Sequence, residues 1–201
     1  MRPRVSTTAV LVLWAVLGSL LTGCAGLVSR PQTPLPAKLE QLDRWQARGR
    51  IGISGAEGGG SGSFDWQQRG DRADVQIRGP VGVGSVRLQV RGNAADPQLE
   101  LQTSDGRTLQ SQAAWDELQV RLGAAVPAGS LRFWMLGIAA PGEHQWHEPA
   151  RDGMVTLEQS GWRIDYQQYS DDPGAHVPVR IRASSGATRV RIVVDRWQLG
   201  Q

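Results

Sequence analysis

From Ile51 to Trp197 the apolar residues of this chain recur mostly at every second position, and that period limits what it can fold into. Ile51 and Ile53 alternate with Gly52 and Ser54, Phe64 and Trp66 flank Asp65, and Val75 and Ile77 flank Gln76. Val86, Leu88 and Val90 are separated by Arg87 and Gln89, and Leu99 and Leu101 follow a turn at Asn93 to Pro97. The pattern returns over Met154–Glu158, Trp162–Tyr169, Val177–Arg182 and Arg189–Trp197. In the last two segments Val177, Val179 and Ile181, then Val190, Ile192 and Val194, face one way while arginines face the other. A period of two places successive side chains on opposite faces, so these are antiparallel strands with one apolar and one wet face. The cluster from Gly55 to Gly62 reads as the most flexible of the turns between them.

Helical spacing interrupts the strands. Ser111 is expected to cap a helix running to Leu122, with Trp115, Leu118 and Leu122 on one stripe and Gly123 ending it. Ser130 is expected to cap another, carried by Leu131, Trp134, Met135 and Ile138 and stopped by Gly137 and Pro141. A short helix over Ala37–Gln46, behind Pro36, is expected from Leu39, Leu42 and Trp45. Strands, two amphipathic helices and strands again make an α+β layout, with no internal repeat and no second domain.

The first two dozen residues follow other rules. A basic tip, Met1-Arg2-Pro3-Arg4, precedes an apolar run from Ala9 to Leu21 that ends in Leu21-Thr22-Gly23-Cys24, with the only cysteine of the chain. This resembles the lipobox of a bacterial lipoprotein signal peptide, in which the cysteine is lipidated and becomes the first residue of the mature protein. A plain bilayer-spanning anchor is the alternative, since Val5 to Val28 carries no charge. Gly18, Ser19, Thr22 and Gly23 dilute its far end, as a cleavage region would. The expected organisation is a signal peptide over 1–23, an acylated Cys24 and proline-rich tether over 24–36, and one folded domain over 37–201. As an extended polyproline-like segment, Ala25 to Pro36 reaches roughly 35–40 Å. In lipoproteins of this kind an Asp after the cysteine favours the inner membrane; here the residue is Ala25, so the outer membrane of a Gram-negative bacterium is expected.

Charge excludes little and decides one point. The formal net charge of +3 falls to +1 once Arg2 and Arg4 leave with the signal peptide, so the basic balance does not argue for nucleic acid. With a single cysteine, the core must hold without a disulfide even in an oxidising compartment.

A set of short motifs then appears in order: Trp45 with Gly49-Arg50, Phe64-x-Trp66, Gly79-Pro80-Val81-Gly82, Leu131-Arg132-Phe133-Trp134-Met135-Leu136-Gly137, Leu157-x-Gln159-x-Gly161-Trp162-x-Ile164-x-Tyr166, Pro178 and Trp197. Behind a lipobox, this series resembles the LolB family of outer-membrane lipoproteins over essentially the whole mature chain. The resemblance implies a strongly curved antiparallel sheet, an unclosed β-barrel with a helical lid over an apolar cavity. It also implies a receptor that takes the acyl chains of lipoproteins from the soluble periplasmic carrier LolA and inserts them into the inner leaflet of the outer membrane. The expected partners are LolA, client acyl chains and outer-membrane phospholipid; no cofactor, metal or nucleic acid is expected, and the protein is expected to be a monomer.

Site residues follow from the same resemblance. Cys24 is the lipidation site, and Pro80, Val81 and Gly82 fall on a protruding loop whose apolar tip touches the membrane. The family familiarly has leucine where this chain has Val81, a difference of about one methylene or roughly 0.8 kcal/mol of insertion. Phe64, Trp66, Leu88, Trp134, Met135, Leu136, Trp162, Ile164 and Tyr166 are the candidates for an acyl-chain cavity, with ordinary core as the competing role for each. Arg50 is a candidate lid contact, with a solvated arginine as the alternative.

Rival chemistry is poorly supported. Glu143-His144-Gln145-Trp146-His147-Glu148 lacks the His-Glu-x-x-His spacing of a zinc-protease helix and reads as a loop between Pro141-Gly142 and Pro149. Gly82-Val83-Gly84 lacks the third glycine and the helix of a dinucleotide loop. The functional alternative to lipid transfer is an anchored structural or partner-binding module of the envelope. An enzyme is not expected.

Overall fold

The computed structural model describes residues 39–56, 58–79, 84–93, 95–122, 127–147, 149, 153–171 and 176–200. Cys24, the tether and the Pro80-Val81-Gly82 segment lie outside the described residues.

Every expected run of alternation forms a strand. The first meander is β1 (Arg44–Gly55), β2 (Gly58–Arg69), β3 (Arg72–Arg78), β4 (Val86–Arg91), β5 (Gln98–Thr103) and β6 (Thr108–Gln110). After helices α1 (Ser111–Leu122) and α2 (Ala128–Leu136), the second is β7 (Gln145–His147), β8 (Val155–Gln159), β9 (Trp162–Tyr169), β10 (Pro178–Ser185) and β11 (Thr188–Leu199). The first and last long strands join the two meanders: β1 pairs antiparallel with β11, from Trp45 opposite Leu199 to Ser54 opposite Arg189. One antiparallel sheet of eleven strands results, with β6 and β7 as its edges. Those edges do not pair with each other, so the barrel is open.

The sheet is curved. β4 and β9 stand six strand spacings apart, which in a flat sheet is about 29 Å. Yet Leu88 of β4 and Ile164 of β9 border the same hollow, so the sheet must curl towards itself. A bulge on β1–β11 between Arg48 and Gly49 sharpens the bend. Gly49 is needed there, because a Cβ would run into the Val193 carbonyl oxygen and the Phe64 ring.

The concave face carries the core. Trp45 lies 5.3 Å from Trp66 and 5.4 Å from Trp197 between ring centroids, tying β1 to both neighbours. A smaller cluster of Leu99, Leu101, Ala114 and Leu118 seats α1 on β5. Leu101 is fully buried, and a leucine so placed contributes about 1.5–3 kcal/mol by burial. On α2, Trp134, Met135 and Leu136 are buried. Gly137 ends α2 at φ +76°. Its N–H donates to Trp134 O and that of Ile138 to Phe133 O, each at 3.1 Å. A side chain at 137 would strike the Pro178 ring, so the stop signal in the sequence also serves packing.

Four local expectations are corrected. Among the described residues of the stretch expected as a helix over Ala37–Gln46, only Leu39 and Glu40 are helical, and Arg44–Gln46 belong to β1. Trp45 and Ala47 both point to the core from that strand, so its period of two overrides the helical spacing of Leu39, Leu42 and Trp45. Gly58–Gly62, expected as a turn, are paired with Ile51–Gly55; glycine has no side chain with which to show strand alternation. α2 begins at Ala128 behind Pro127 and has no side-chain cap, so Ser130 lies within the helix. Gln145–His147, expected as loop, pair with Glu158–Thr156 as an edge strand.

Candidate functional site

One apolar hollow of about 170 Å³ runs along the concave face. Strand alternation aims Ile51, Phe64, Trp66, Val75, Leu88, Ile164, Ile181 and Ile192 inward, and α2 closes over them with Leu131, Trp134 and Met135. Trp134 faces Trp162 across the gap at 6.3 Å between ring centroids.

Several polar groups around the hollow are engaged with one another. Gln68 accepts from Trp66 Nε1 at 3.0 Å and donates to Gly70 O at 2.8 Å. Arg132, on α2, donates to the same Gly70 oxygen at 3.0 Å, and its guanidinium stands 4.4 Å from the Phe133 ring centre. At the other end of α2, Gln159 accepts from Trp134 Nε1 and from Ala140 N, both at 2.9 Å, and donates to Ala140 O at 2.8 Å. Tyr166 donates its hydroxyl to Trp134 O at 3.1 Å. Burial pushes the Tyr166 phenol well above its usual range and that of Tyr169 up to about 12. The hollow therefore offers dispersion and apolar contact without directional demands, which suits flexible hydrocarbon.

Seven of the nine candidate cavity residues border this space: Phe64, Trp66, Leu88, Trp134, Met135, Trp162 and Ile164. Leu136 and Tyr166 do not; both are buried in the core beside it. Tyr166 is committed to the Trp134 carbonyl, and Leu136 sits on the last turn of α2. Arg50 is corrected as well. It lies on the convex face with its side chain 70% exposed, pairing with Asp195 Oδ1 at 3.0 Å, and contacts neither helix nor hollow. The alternation that turns Ile51 inward turns Arg50 outward, a signal already in the sequence. The charged groups bordering the hollow are instead Asp71 and Arg132, which strand or helix spacing alone did not single out. His144 Nδ1 donates to Gly142 O at 2.9 Å and His147 Nε2 stands 3.2 Å from Glu158, each apart from the hollow.

An open antiparallel half-barrel with helices on an apolar concave face is the class that this fold and site define. A crystal structure of a DUF1329 family protein from Desulfovibrio piger shares the fold, at a TM-score of 0.54 and 8% identity over 81% of this chain and 88% of that one. The family model described as Outer membrane lipoprotein LolB matches residues 43–197. An outer-membrane lipoprotein LolB of Pseudomonas syringae pv. syringae is 33% identical, covering 91% of this chain and 94% of its own length. The LolB of Ectopseudomonas mendocina is 34% identical over 91% and 95%, and that of Pseudomonas aeruginosa 32% over 90% and 91%. The chain belongs to the LolB family. It is accordingly an outer-membrane lipoprotein of the lipoprotein-localisation pathway, lipid-anchored, facing the periplasm and not an enzyme.

Proposed function

We propose that this protein accepts lipoproteins from the soluble carrier LolA by taking their acyl chains into the hollow, and inserts them into the inner leaflet of the outer membrane. Residues 1–23 are the signal peptide, Cys24 and the tether to residue 36 form the anchor, and residues 37–201 form the lipid-binding domain. The observation that carries this reading is the apolar space bordered by side chains from both meanders and both helices. A lipoprotein bears tens of methylenes, each costing about 0.8 kcal/mol in water, so transfer requires apolar surroundings throughout.

In this reading α2 is the lid. An engineered cavity of about 150 Å³ admits benzene, so a hollow of about 170 Å³ holds little more than that until α2 moves. Its C-terminal end is tied by Gln159, Tyr166 and the Gly137–Pro178 contact, whereas at its N-terminal half Arg132 reaches Gly70 through one hydrogen bond. The helix opens from that half. Val81 meets the phospholipid during release.

The test is transfer of a labelled lipoprotein from its carrier complex to liposomes, with and without Val81→Glu. Capture by both proteins with release lost in the variant is the expected result. Equal release by both would make Val81 a turn residue and leave the receptor role standing. No capture by either would instead favour an anchored partner-binding module.

A further inference from the structure

The convex face holds a concentration of charge that lipid transfer does not use. On β10 and β11, Arg180, Arg182, Arg189 and Arg191 all project outward and are exposed. Arg182 and Arg191 are direct cross-strand partners, and Arg189 stands opposite Ser184 in the next outward pair. Like charges placed directly opposite destabilise a sheet. Elsewhere on this face four arginines face carboxylates, Arg48 with Asp65 at 2.7 Å, Arg50 with Asp195 at 3.0 Å, Arg87 with Asp74 at 3.7 Å and Arg163 with Glu158 at 3.2 Å, while Arg69, opposite both Arg44 and Arg72, makes a second arginine row at the far end of the strands. Among the described residues no carboxylate pairs with the four arginines of β10 and β11. Arg189 spends its donors on two backbone oxygens, Gly186 O and Thr188 O.

The ground beside them is low on one side. The outward row through Arg182 and Arg191 runs from Asp165 on β9 to Gly52 and Ser61, and the row through Ser184 and Arg189 from Arg163 to Ser54 and Gly59. On the β1–β2 side nothing larger than a hydroxymethyl group rises in these rows, so the guanidinium groups stand clear there as an open ledge, while on the β9 side Asp165, engaged by Arg163 at 3.3 Å and Thr156 at 2.8 Å, borders Arg182. Exposed guanidinium groups without carboxylate partners on an outward-bulging face fit the phosphates of a surface that the face can rest on. For a protein tethered to the outer membrane, a phospholipid surface is the anionic plane always within reach.

We infer that this arginine ledge docks the domain on anionic phospholipid headgroups of the leaflet in which it is anchored. The contact is distinct from the acyl anchor and from the Val81 segment. It rests on the membrane location and not on lipid transfer. Each arginine brought to an anionic surface strengthens docking about fivefold, so replacing two weakens it about thirtyfold. The effect fades with salt, since the Debye length falls from about 10 Å at 0.1 M to about 3 Å at 1 M.

The experiment uses the lipidated full-length mature protein in phosphatidylcholine vesicles with or without 30 mol per cent phosphatidylglycerol as probe, on the order of the anionic content that produces such attraction. Cys24 carries the lipid, so Ser184→Cys supplies one thiol for a fluorophore beside the ledge, read by quenchers on lipid headgroups. Flotation of the protein with the vesicles reports the anchor separately. Quenching is expected in anionic vesicles, weak in neutral ones, lost at 1 M salt and lost in Arg182→Gln/Arg191→Gln. It should persist in Arg44→Gln/Arg72→Gln, which removes the same charge at the opposite end of the sheet. The first double variant relieves a like-charge pair, so its melting temperature should stay equal or rise, which separates lost docking from lost fold. Equal quenching in neutral and anionic vesicles, or parental quenching in Arg182→Gln/Arg191→Gln, overturns the inference. So does a variant that docks normally but fails to receive lipoprotein from its carrier, because the ledge would then face a protein.

Discussion

The chain has two tyrosines, Tyr166 and Tyr169, and both sit on β9 against the core. Tyr166 is fully buried, and Tyr169 stacks flat on His176 at 4.4 Å between ring centres. Burial disfavours the charged phenolate, raising the Tyr169 pKa to about 12 and pushing that of Tyr166 well above its usual range. In the unfolded chain both titrate near 10. Above that pH the unfolded state sheds protons that the folded state keeps, so stability falls with rising pH. This contribution is fully present below about pH 10 and is lost as pH climbs towards 12 and beyond. Tyrosinate absorbance at pH 11 should therefore be small in the folded protein, with roughly a tenth of Tyr169 ionised, while guanidinium-unfolded protein shows roughly nine tenths of it, this pH lying about one unit above the free phenol. A folded-state rise centred near 10 would show that these rings are wet. At this scale the sequence was informative about inward residues and weaker about their neighbours. Alternation alone separates Phe64 and Trp66 from Asp65, and would have placed Arg50 outside. Whether Tyr166 borders the hollow or fills the core depends on where α2 comes to lie, which no local pattern states.

At the scale of elements, α2 is held by a side chain from a distant strand. Gln159 satisfies Trp134 Nε1 and both backbone groups of Ala140 with one amide. Gln159→Leu keeps the volume and strands three buried polar groups. Each costs about 1–3 kcal/mol, so a loss of about 3 kcal/mol or more is expected in chemical unfolding. Amide exchange should accelerate first at the Leu136–Ala140 end of α2, the proposed hinge. An unchanged unfolding midpoint would mean that water replaces the amide and that the hinge is not held there. The strands with full alternation, β3, β4 and β9 among them, were legible in the sequence; others were hidden for physical reasons. The first five residues of β2 include four glycines, and β6 and β7 are three-residue edges too short to display a period. α1 and the glycine stop of α2 were legible because their signals are local.

For the whole molecule, what the sequence left unstated is the β1–β11 pairing, which joins residues about 150 positions apart and makes two meanders into one curved wall. That closure forms the hollow, and the hollow's size makes the lid testable. A rigid space of about 170 Å³ would reward only the first few methylenes of a single-chain acyl probe, since a cavity of about 150 Å³ is filled by benzene. A space that enlarges as α2 swings away would go on rewarding them, at about 0.8 kcal/mol or fourfold in affinity per methylene. A series of fluorescent acyl probes lengthened two carbons at a time distinguishes the two. Affinity should continue to climb past the short chains, with exchange at Ala128–Leu131 rising when the long probes bind while Gly137–Ala140 stays protected. A plateau at the short chains, with unchanged exchange along α2, would fix the helix as a wall of the core and remove the lid from the transfer mechanism.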